Sequence, residues 1–454
     1  MAKDEIKVLT PIGMLGYGIP ETFLRMGVEM APDVIALDSG STDSGPQKLG
    51  LGQMTCSRDA YERDIAMLLA IGHEKKIPIF ISSAGGDGTN AHVDVFIDII
   101  REISRAKGYR FRAATIYSEV PKERVRNELR NGRVVPCGPV EPLNEQEIDA
   151  ATTIVAQMGA EPFLEALERH EDLDIIVSGR AYDPAPIAAL GLKEGFDPAL
   201  CWHMGKIMEC GALCAEPNGR AIFGTLRHDH FELEPVNPVE RCTEMSVAAH
   251  TLYEKSHPFL LPGPGGILDL SHCQYQQITD RRVKVSGSAF IHSNPYTLKL
   301  EGAKKVGCRS IFIGGARDPI FIAIIDDVLQ AVKDHIREFF ADILPSSYQL
   351  IFHVYGKNGV MGELEPLRNP TSHELCIIGE VAATSQDLAT AICGRARTAL
   401  LHAPYPGKMA TAGNLGLPFT PLEIALGEVC QFNIYHLMEV DNPTELFPIK
   451  LLEI

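Results

Sequence analysis

Five apolar, strand-like runs in this chain each end in small polar or acidic residues that lead into a helix-like segment. Val34-Ile35-Ala36-Leu37 runs into Asp38-Ser39-Gly40-Ser41-Thr42-Asp43-Ser44-Gly45-Pro46, and Ile77-Pro78-Ile79-Phe80-Ile81 into Ser82-Ser83-Ala84-Gly85-Gly86-Asp87-Gly88-Thr89-Asn90. Ala114-Thr115-Ile116 leads to Tyr117-Ser118-Glu119, Asp174-Ile175-Ile176-Val177 to Ser178-Gly179-Arg180-Ala181-Tyr182-Asp183-Pro184, and Ser310-Ile311-Phe312-Ile313 to Gly314-Gly315-Ala316-Arg317-Asp318-Pro319. Residues 6–10 predict a further, first strand, and Tyr17-Gly18-Ile19-Pro20-Glu21 a turn that opens a helix at Pro20. Helical patterns at 58–74, 92–107, 146–158, 161–170 and 184–191 fall between the strands. Alternation of this kind, sustained to about residue 192, predicts βαβ units and a mostly parallel sheet with flanking helices, an α/β fold. Open parallel sheets bind ligands at the carboxyl ends of their strands, so the polar loops sit where this architecture puts a site.

The pattern then changes. A helix is expected at about 198–213, with Asp197 as its N-cap and Pro198 in its first turn. From 221 to 300, stretches such as Arg282-Val283-Lys284-Val285 and Ala289-Phe290-Ile291 alternate with turn residues, and Leu261-Pro262-Gly263-Pro264-Gly265-Gly266 breaks any regular element. This region reads as a β-rich antiparallel insertion. The βα pattern resumes at 309–338, where Asp318 and Pro319 again cap a helix. A boundary is expected near 343. Residues 1–344 then form an α/β catalytic domain with its insertion at about 221–300. Residues 345–454 form a small α+β domain with strands at 348–355 and 375–382, a helix at 385–402, a Gly/Pro-rich tail and a final helix near 421–430.

With 454 residues, 45% hydrophobic and 22% charged, the chain is long enough for two or three domains with large cores. A formal charge of −17 argues against a nucleic-acid partner. The 11 cysteines are scattered, odd in number and without zinc-ribbon spacing, which fits a reduced, cytoplasmic protein. The charged N-terminus runs straight into a strand, so no signal peptide is expected. No uncharged apolar stretch reaches about 18 residues, so no membrane partner is expected either.

Segment 38–46 carries two carboxylates and several hydroxyls directly after a strand. Such a loop can aim backbone N–H groups and the hydroxyls of Ser39, Ser41 and Thr42 at an anion while Asp38 or Asp43 acts as a base; the plainer alternative is a polar turn with both acids capping local N–H groups. In segment 82–90, Ser83, Gly85, Gly86 and Asp87 form a loop that permits close backbone approach to an anionic group, although it has neither G-x-G-x-x-G nor a Walker lysine. Arg180, in the first turn after a strand, can grip a carboxylate in bidentate fashion, or can pair structurally with Asp183. On the helix at 198–213, His203, Lys206 and Cys210 share a stripe and Glu209 lies one position away, so Lys206 and Glu209 form either a surface ion pair or a proton-transfer pair. His228 and His230 would share a face of a strand, but no third ligand stands at a metal-site spacing, so no metal site is expected there. No G-x-S-x-G elbow occurs, which argues against a hydrolase triad of that type.

Four of these stretches together, Gly16-Tyr17-Gly18-Ile19-Pro20, Leu37-Asp38-Ser39-Gly40-Ser41-Thr42-Asp43-Ser44-Gly45-Pro46, Ser178-Gly179-Arg180-Ala181-Tyr182-Asp183-Pro184-Ala185 and His203-Met204-Gly205-Lys206-Ile207-Met208-Glu209-Cys210-Gly211-Ala212, resemble the acyclic terpene utilisation (AtuA-type) family. Gly379-Glu380-Val381-Ala382-Ala383-Thr384-Ser385-Gln386 and Gly413-Asn414-Leu415-Gly416-Leu417-Pro418-Phe419 look like the distal part of its members. The resemblance spans most of the chain and implies catabolism of branched acids or their coenzyme A thioesters.

The combined expectation is an acid–base enzyme acting on a small-molecule carboxylate or acyl-CoA, a hydratase/dehydratase or a double-bond isomerase. Such chemistry needs a base, an acid and an anion clamp, and no cofactor. Asp38 or Asp43 would be the base, Lys206 or Glu209 the second proton-transfer group, and Arg180 the clamp, with Asp183 and the 38–46 and 82–90 loops around the substrate. A carbon–carbon or carbon–nitrogen lyase could use the same parts. A non-catalytic assembly subunit of a carboxylase-like complex is the alternative of another class. A homo-oligomer is expected, with a small partner subunit as the variant of that expectation.

Overall fold

The structure, a computed structural model, describes residues 3–40, 45–170, 172–253, 255–369, 372–409 and 411–454. The chain divides into two compact units, one made of residues 1–304 with 432–454 and the other of residues 305–431.

The first unit is built on a 10-stranded sheet. At its centre, Glu5–Thr10, Val34–Asp38, Ile79–Ser82, Ile175–Ser178 and Arg112–Ile116 run parallel, in that spatial order. These are the apolar runs expected from the sequence, and their continuity has a geometric cause. Successive side chains of a strand point to opposite faces, so a strand covered on both sides must be apolar at every position. Val34 and Ala36 enter one core, with Phe80, Ala114 and Ile176. Ile35 and Leu37 enter the other, with Ile81, Val177 and residues of the helices Arg58–Lys75 and Asn90–Lys107. The helices Glu161–Arg169, Ala185–Lys193 and Pro198–Met208 close the first core.

The β-rich stretch is partly an extension of this sheet. Ile222–Arg227 pairs antiparallel with Glu5–Thr10, and Phe231–Pro235, Val283–Ser286 and Gln274–Gln277 continue outward. Leu260–Gly263, Gly266–Asp269 and Ala289–His292 form a separate three-stranded sheet. Ile449–Glu453 completes the other edge beside Arg112–Ile116.

Two local expectations are corrected, the first in this unit and the second in a strand that begins in the other. The segment 146–158 is not one helix: Glu145–Ala150 is helical, and Thr153–Gln157 is a strand that pairs antiparallel with Lys299–Ala303. Its β-branched Thr153, Ile154 and Val155 favour the pleated surface, and Ile154 and Val155 are buried. Residues 424–430 are not helical either but begin the strand Ile424–Val440, in whose later half Ile434, His436, Met438 and Val440 are buried at alternate positions.

In the second unit, Leu375–Ala383 lies between Tyr348–Tyr355 and residues 308–316, antiparallel to both. The fifth apolar run, 310–313, therefore belongs to an antiparallel sheet and not to the parallel one. The helices Ile325–Phe339 and Gln386–His402 share a core with it that includes Phe312, Phe321, Ile336, Ile377 and Ile392. Asp318 caps Pro319–Ala323 as expected, accepting from the N–H groups of Ile320 and Phe321 at 2.8 and 3.0 Å. No helix among the described residues is long and apolar enough to cross a membrane.

Candidate active site

At the carboxyl ends of the first two parallel strands of the first unit lies a cavity of about 430 Å³. Ile12, Gly13, Met14 and Tyr17 line it from the loop after Glu5–Thr10, and Asp38 and Gly40 from the loop after Val34–Asp38. Asp183, Glu209, Cys210, Leu213, Arg220 and Tyr253 complete most of the wall.

The loop 11–20 is shaped by one buried acid. The Asp64 carboxylate accepts from the N–H groups of Gly16, Gly18 and Ile19 at 3.0, 3.0 and 3.1 Å, and Leu15 N donates to the Asp38 carbonyl at 2.9 Å. This satisfies backbone donors that no regular element serves. The same loop touches the far wall of the cavity. A Cβ on Gly13 would lie 2.5 Å from the Cys210 carbonyl carbon and 2.6 Å from its oxygen, both backbone atoms. Gly13→Ala is therefore expected to push the Glu209-Cys210 wall outward, lowering the melting temperature and weakening any ligand of the cavity at least tenfold. Thermal unfolding and ligand titration of the variant check both effects.

Asp38 ends its strand with its side chain buried. One carboxyl oxygen accepts from Ser82 Oγ at 2.7 Å and the other from Gly40 N at 2.7 Å. Burial, reinforced by the negative charge of Asp183 and only partly offset by Arg180, pushes its pKa up to about 7. Glu209 follows the helix Pro198–Met208, which Asp197 caps by accepting from Ala199 N at 2.8 Å. Its side chain is buried; one oxygen accepts from Lys206 Nζ, and Oε2 has no hydrogen-bond partner among the described residues. Burial raises the Glu209 carboxyl to about 8, with Lys206 opposing and Asp183 reinforcing. Burial works against the Lys206 ammonium, but Glu209 outweighs it and holds the lysine above its ordinary value. Glu209 thus keeps its proton at neutral pH, and it is the carboxylate formed above that range whose charge holds the Lys206 ammonium. Beside them Lys255 donates to Tyr182 Oη at 3.1 Å, and burial together with the charge of Lys206 lowers it to about 8.

Arg180 is placed by its backbone N–H, which donates to Ser118 Oγ at 2.7 Å. Its buried guanidinium does not line the cavity. It donates to Glu301 at 2.9 Å, to Asp183 at 3.1 Å, to the Ala181 carbonyl at 2.9 Å and to Ser83 Oγ at 3.3 Å. Asp183, which does line the cavity, is held in place by this contact. Glu301 also receives Lys299 at 2.7 Å; burial opposes its ionisation, but Arg180 and Lys299 prevail and bring its pKa down to about 2.

The other expected site residues have these positions. Ser39 is buried, its N–H donating to the Ser82 carbonyl at 2.9 Å. Ser83 accepts from Arg180 and from Ala181 N, which ties the 82–90 loop to the 178–183 loop. Gly85 and Gly86 have φ of +73° and +101°, and a Cβ on them would meet the His92 ring at 2.7 Å and Thr55 Oγ1 at 2.0 Å. Close packing inside the loop thus accounts for both glycines. Asp87 accepts from Thr89 N at 3.0 Å and contacts His92 Nδ1 at 2.6 Å, at the start of the helix Asn90–Lys107. None of these five lines the cavity. Ser41, Thr42 and Asp43 lie outside the described residues.

His203 faces elsewhere, hydrogen-bonded to Ser288 at 2.8 Å and Thr251 at 3.2 Å, and burial lowers it to about 3, so it stays neutral. His228 and His230 occupy the turn between Ile222–Arg227 and Phe231–Pro235 and do not share a strand face: His228 stacks on Phe196 at 4.6 Å, and His230 contacts Asp229 at 2.7 Å. Among the described residues no group of three or more His, Cys, Asp or Glu side chains could hold a metal ion. Sequence reasoning missed Ile12, Gly13, Met14, Arg220, Tyr253 and Lys255. The first three immediately follow a strand, the one signal that could have pointed to them.

No curated protein and no solved structure is similar enough to the chain to count as a match. The model of the family described as acyclic terpene utilisation family protein AtuA matches residues 29–230 and 235–420, and so contains Asp38, Asp183, Glu209 and Arg220. The match covers most of the chain, which therefore belongs to the acyclic terpene utilisation family.

Proposed function

We propose that the cavity is the active site of an acid–base enzyme of carboxylic-acid or acyl-CoA catabolism, a hydratase/dehydratase or double-bond isomerase. One observation carries this reading: two buried carboxyl groups, Asp38 at about 7 and Glu209 at about 8, line the same cavity. A carboxyl group that titrates near neutrality is poised for proton transfer at working pH, and burial is the usual means of tuning it. Asp38, the lower of the two, supplies the base. Glu209 keeps its proton and supplies the acid, with the Lys206 ammonium fixing one of its oxygens. In the dehydration direction Asp38 removes a proton from the carbon next to a carboxylate or thioester while Glu209 protonates the departing hydroxyl. A C–H and a C–O bond break, a double bond forms and water leaves; hydration is the reverse. Isomerisation needs the same removal with return of the proton two carbons away.

A volume of about 430 Å³ suits a short acid or an acyl group. A coenzyme A thioester would place only its acyl end inside. The family's description, terpene utilisation, fits a branched acyl substrate.

The test is proton exchange. Short branched acids and their coenzyme A thioesters, incubated with the protein in deuterated water, should gain deuterium at the carbon next to the carboxyl or thioester. Asp38→Asn and Glu209→Gln should each slow this by about 10²–10⁴ while remaining folded. Exchange that persists at the wild-type rate in Asp38→Asn would reject the assignment.

A further inference from the structure

We infer that Arg220 is the anion anchor of this cavity, gripping the carboxylate of the substrate at its mouth. The inference rests on the reading of the cavity as an active site and adds the residue that selects an anionic substrate. The cations around the site differ in what holds them. Arg180 is engaged by Glu301, Asp183, Ser83 and a carbonyl, Lys206 by Glu209, Lys255 by Tyr182, and Lys299 by Glu301. Arg220 lines the cavity, is exposed to solvent, and its guanidinium makes no hydrogen bond or ion pair with any described residue. A planar guanidinium with its donors uncommitted is the group best matched to a carboxylate, which it can bind through two parallel N–H···O contacts.

The position of Arg220 is built, not accidental. Its carbonyl accepts from Ala212 N at 3.1 Å, Gly219 N donates to the Ala212 carbonyl at 2.9 Å, and Asn218 Nδ2 donates to the Leu213 carbonyl at 2.9 Å. The turn before Ile222–Arg227 is thereby clamped to the segment Gly211–Cys214 that follows Glu209. Gly211, at φ +64°, has no room for a side chain there: a Cβ would lie 2.2 Å from the Arg220 carbonyl oxygen. The clamp fixes the backbone of Arg220 relative to Glu209, which lines the same cavity and whose buried Oε2 has no hydrogen-bond partner among the described residues. An acid bound by Arg220 would therefore present its neighbouring carbons to a defined proton donor. The charge also has a reason. Among the described residues that line the cavity Arg220 is the one cationic side chain, so it is the group there that can receive an anion.

The test is binding of isovalerate, succinate and citrate, each beside its methyl ester, to the full-length protein by calorimetry and thermal shift. At least one acid should bind and its ester should not. Arg220→Gln should weaken that acid about ten- to a hundredfold, as expected for loss of a charge-assisted contact, and Arg220→Lys should recover part of the loss. Arg110→Gln, the same charge change at an exposed arginine that does not line the cavity, should leave affinity within about twofold. Equal binding by wild type and Arg220→Gln, equal binding of acid and ester, or no binding of any acid by the wild type would each overturn the inference. Failure of the proton-transfer reading shows separately, as binding that depends on Arg220 without deuterium exchange in the bound acid.

Discussion

Arg180→Met is expected to lower the unfolding free energy of the first unit by about 3–5 kcal/mol, the cost of removing one partner from a buried ion pair. The guanidinium holds two acids, and they fare differently without it. Glu301 keeps Lys299 at 2.7 Å, but loses the partner that contributes most to holding its pKa at about 2. Asp183, already near Asp38 and Glu209 in charge terms, loses the donor at 3.1 Å. The Ala181 carbonyl and Ser83 Oγ lose a donor as well. Methionine fills most of the volume, so the penalty is electrostatic and not a cavity effect. The single tryptophan, Trp202, is buried in the first unit, so its fluorescence during urea unfolding follows that unit alone. That matters because two units need not unfold in one step. The pH dependence adds a second check. A depressed carboxylate contributes stability that is present above its unfolded pKa and lost as pH falls through the folded one. In wild-type protein the contribution of Glu301 should be lost progressively as pH falls from about 4.5 to about 2, whereas Arg180→Met, with less of it to lose, should show a shallower fall over the same range. A total loss below about 1 kcal/mol, the scale of a solvated surface pair, would contradict the account.

How much of this was legible in the sequence depends on how local its cause is. The four parallel strands that precede polar loops could be read directly, because burial on both faces leaves a continuous apolar run. The caps Asp197 and Asp318 could be read because a helix start is a contact between neighbours. The run at 310–313 carries the same local signal as the others, yet it pairs antiparallel in the second unit. Periodicity reports burial and not the direction of the partner strand. The strand Thr153–Gln157 was hidden because its partner, Lys299–Ala303, is distant in sequence. The site divides in the same way. Asp38, Asp183 and Glu209 each follow directly on a strand, a strand–loop junction or a helix, and so stood out. Arg220 and Tyr253 line the cavity from turns outside the parallel strands, where no strand–loop junction marks them, and Gly13 matters only because it meets the Cys210 backbone. Arg180 has the local context of a substrate clamp, but Glu301, which the sequence places 121 positions away, occupies its guanidinium.

The stability of Asp38→Asn relative to wild type should change sign with pH. The pKa of Asp38 rises from the ordinary aspartate value of 3.8 to about 7 in the folded protein, chiefly through burial. Between those values the folded state binds a proton that the unfolded state has released. Stability therefore falls as pH rises, and the contribution present below about pH 4 is lost by the time pH passes about 7. Asparagine does not titrate and removes this slope. It also has one acceptor oxygen where the carboxyl has two, so it cannot serve both Ser82 Oγ and Gly40 N. One unmade hydrogen bond costs about 1 kcal/mol at every pH. Below about pH 4, where the wild-type carboxyl is protonated in both states, the variant should be the less stable protein by that amount. At pH 8 to 9 wild type carries a buried carboxylate facing Asp183, and the shift corresponds to a penalty on the order of 4 kcal/mol. The variant should then be the more stable by a few kcal/mol, with the two curves crossing in between. Urea unfolding followed by Trp202 fluorescence from about pH 3.5 to 9 measures both. Parallel curves would mean that Asp38 titrates like an exposed aspartate, and the proposed base would lose its physical basis. A crossing, together with slowed deuterium exchange in the same variant, would tie the stability that this residue costs at working pH to the proton it is placed to take.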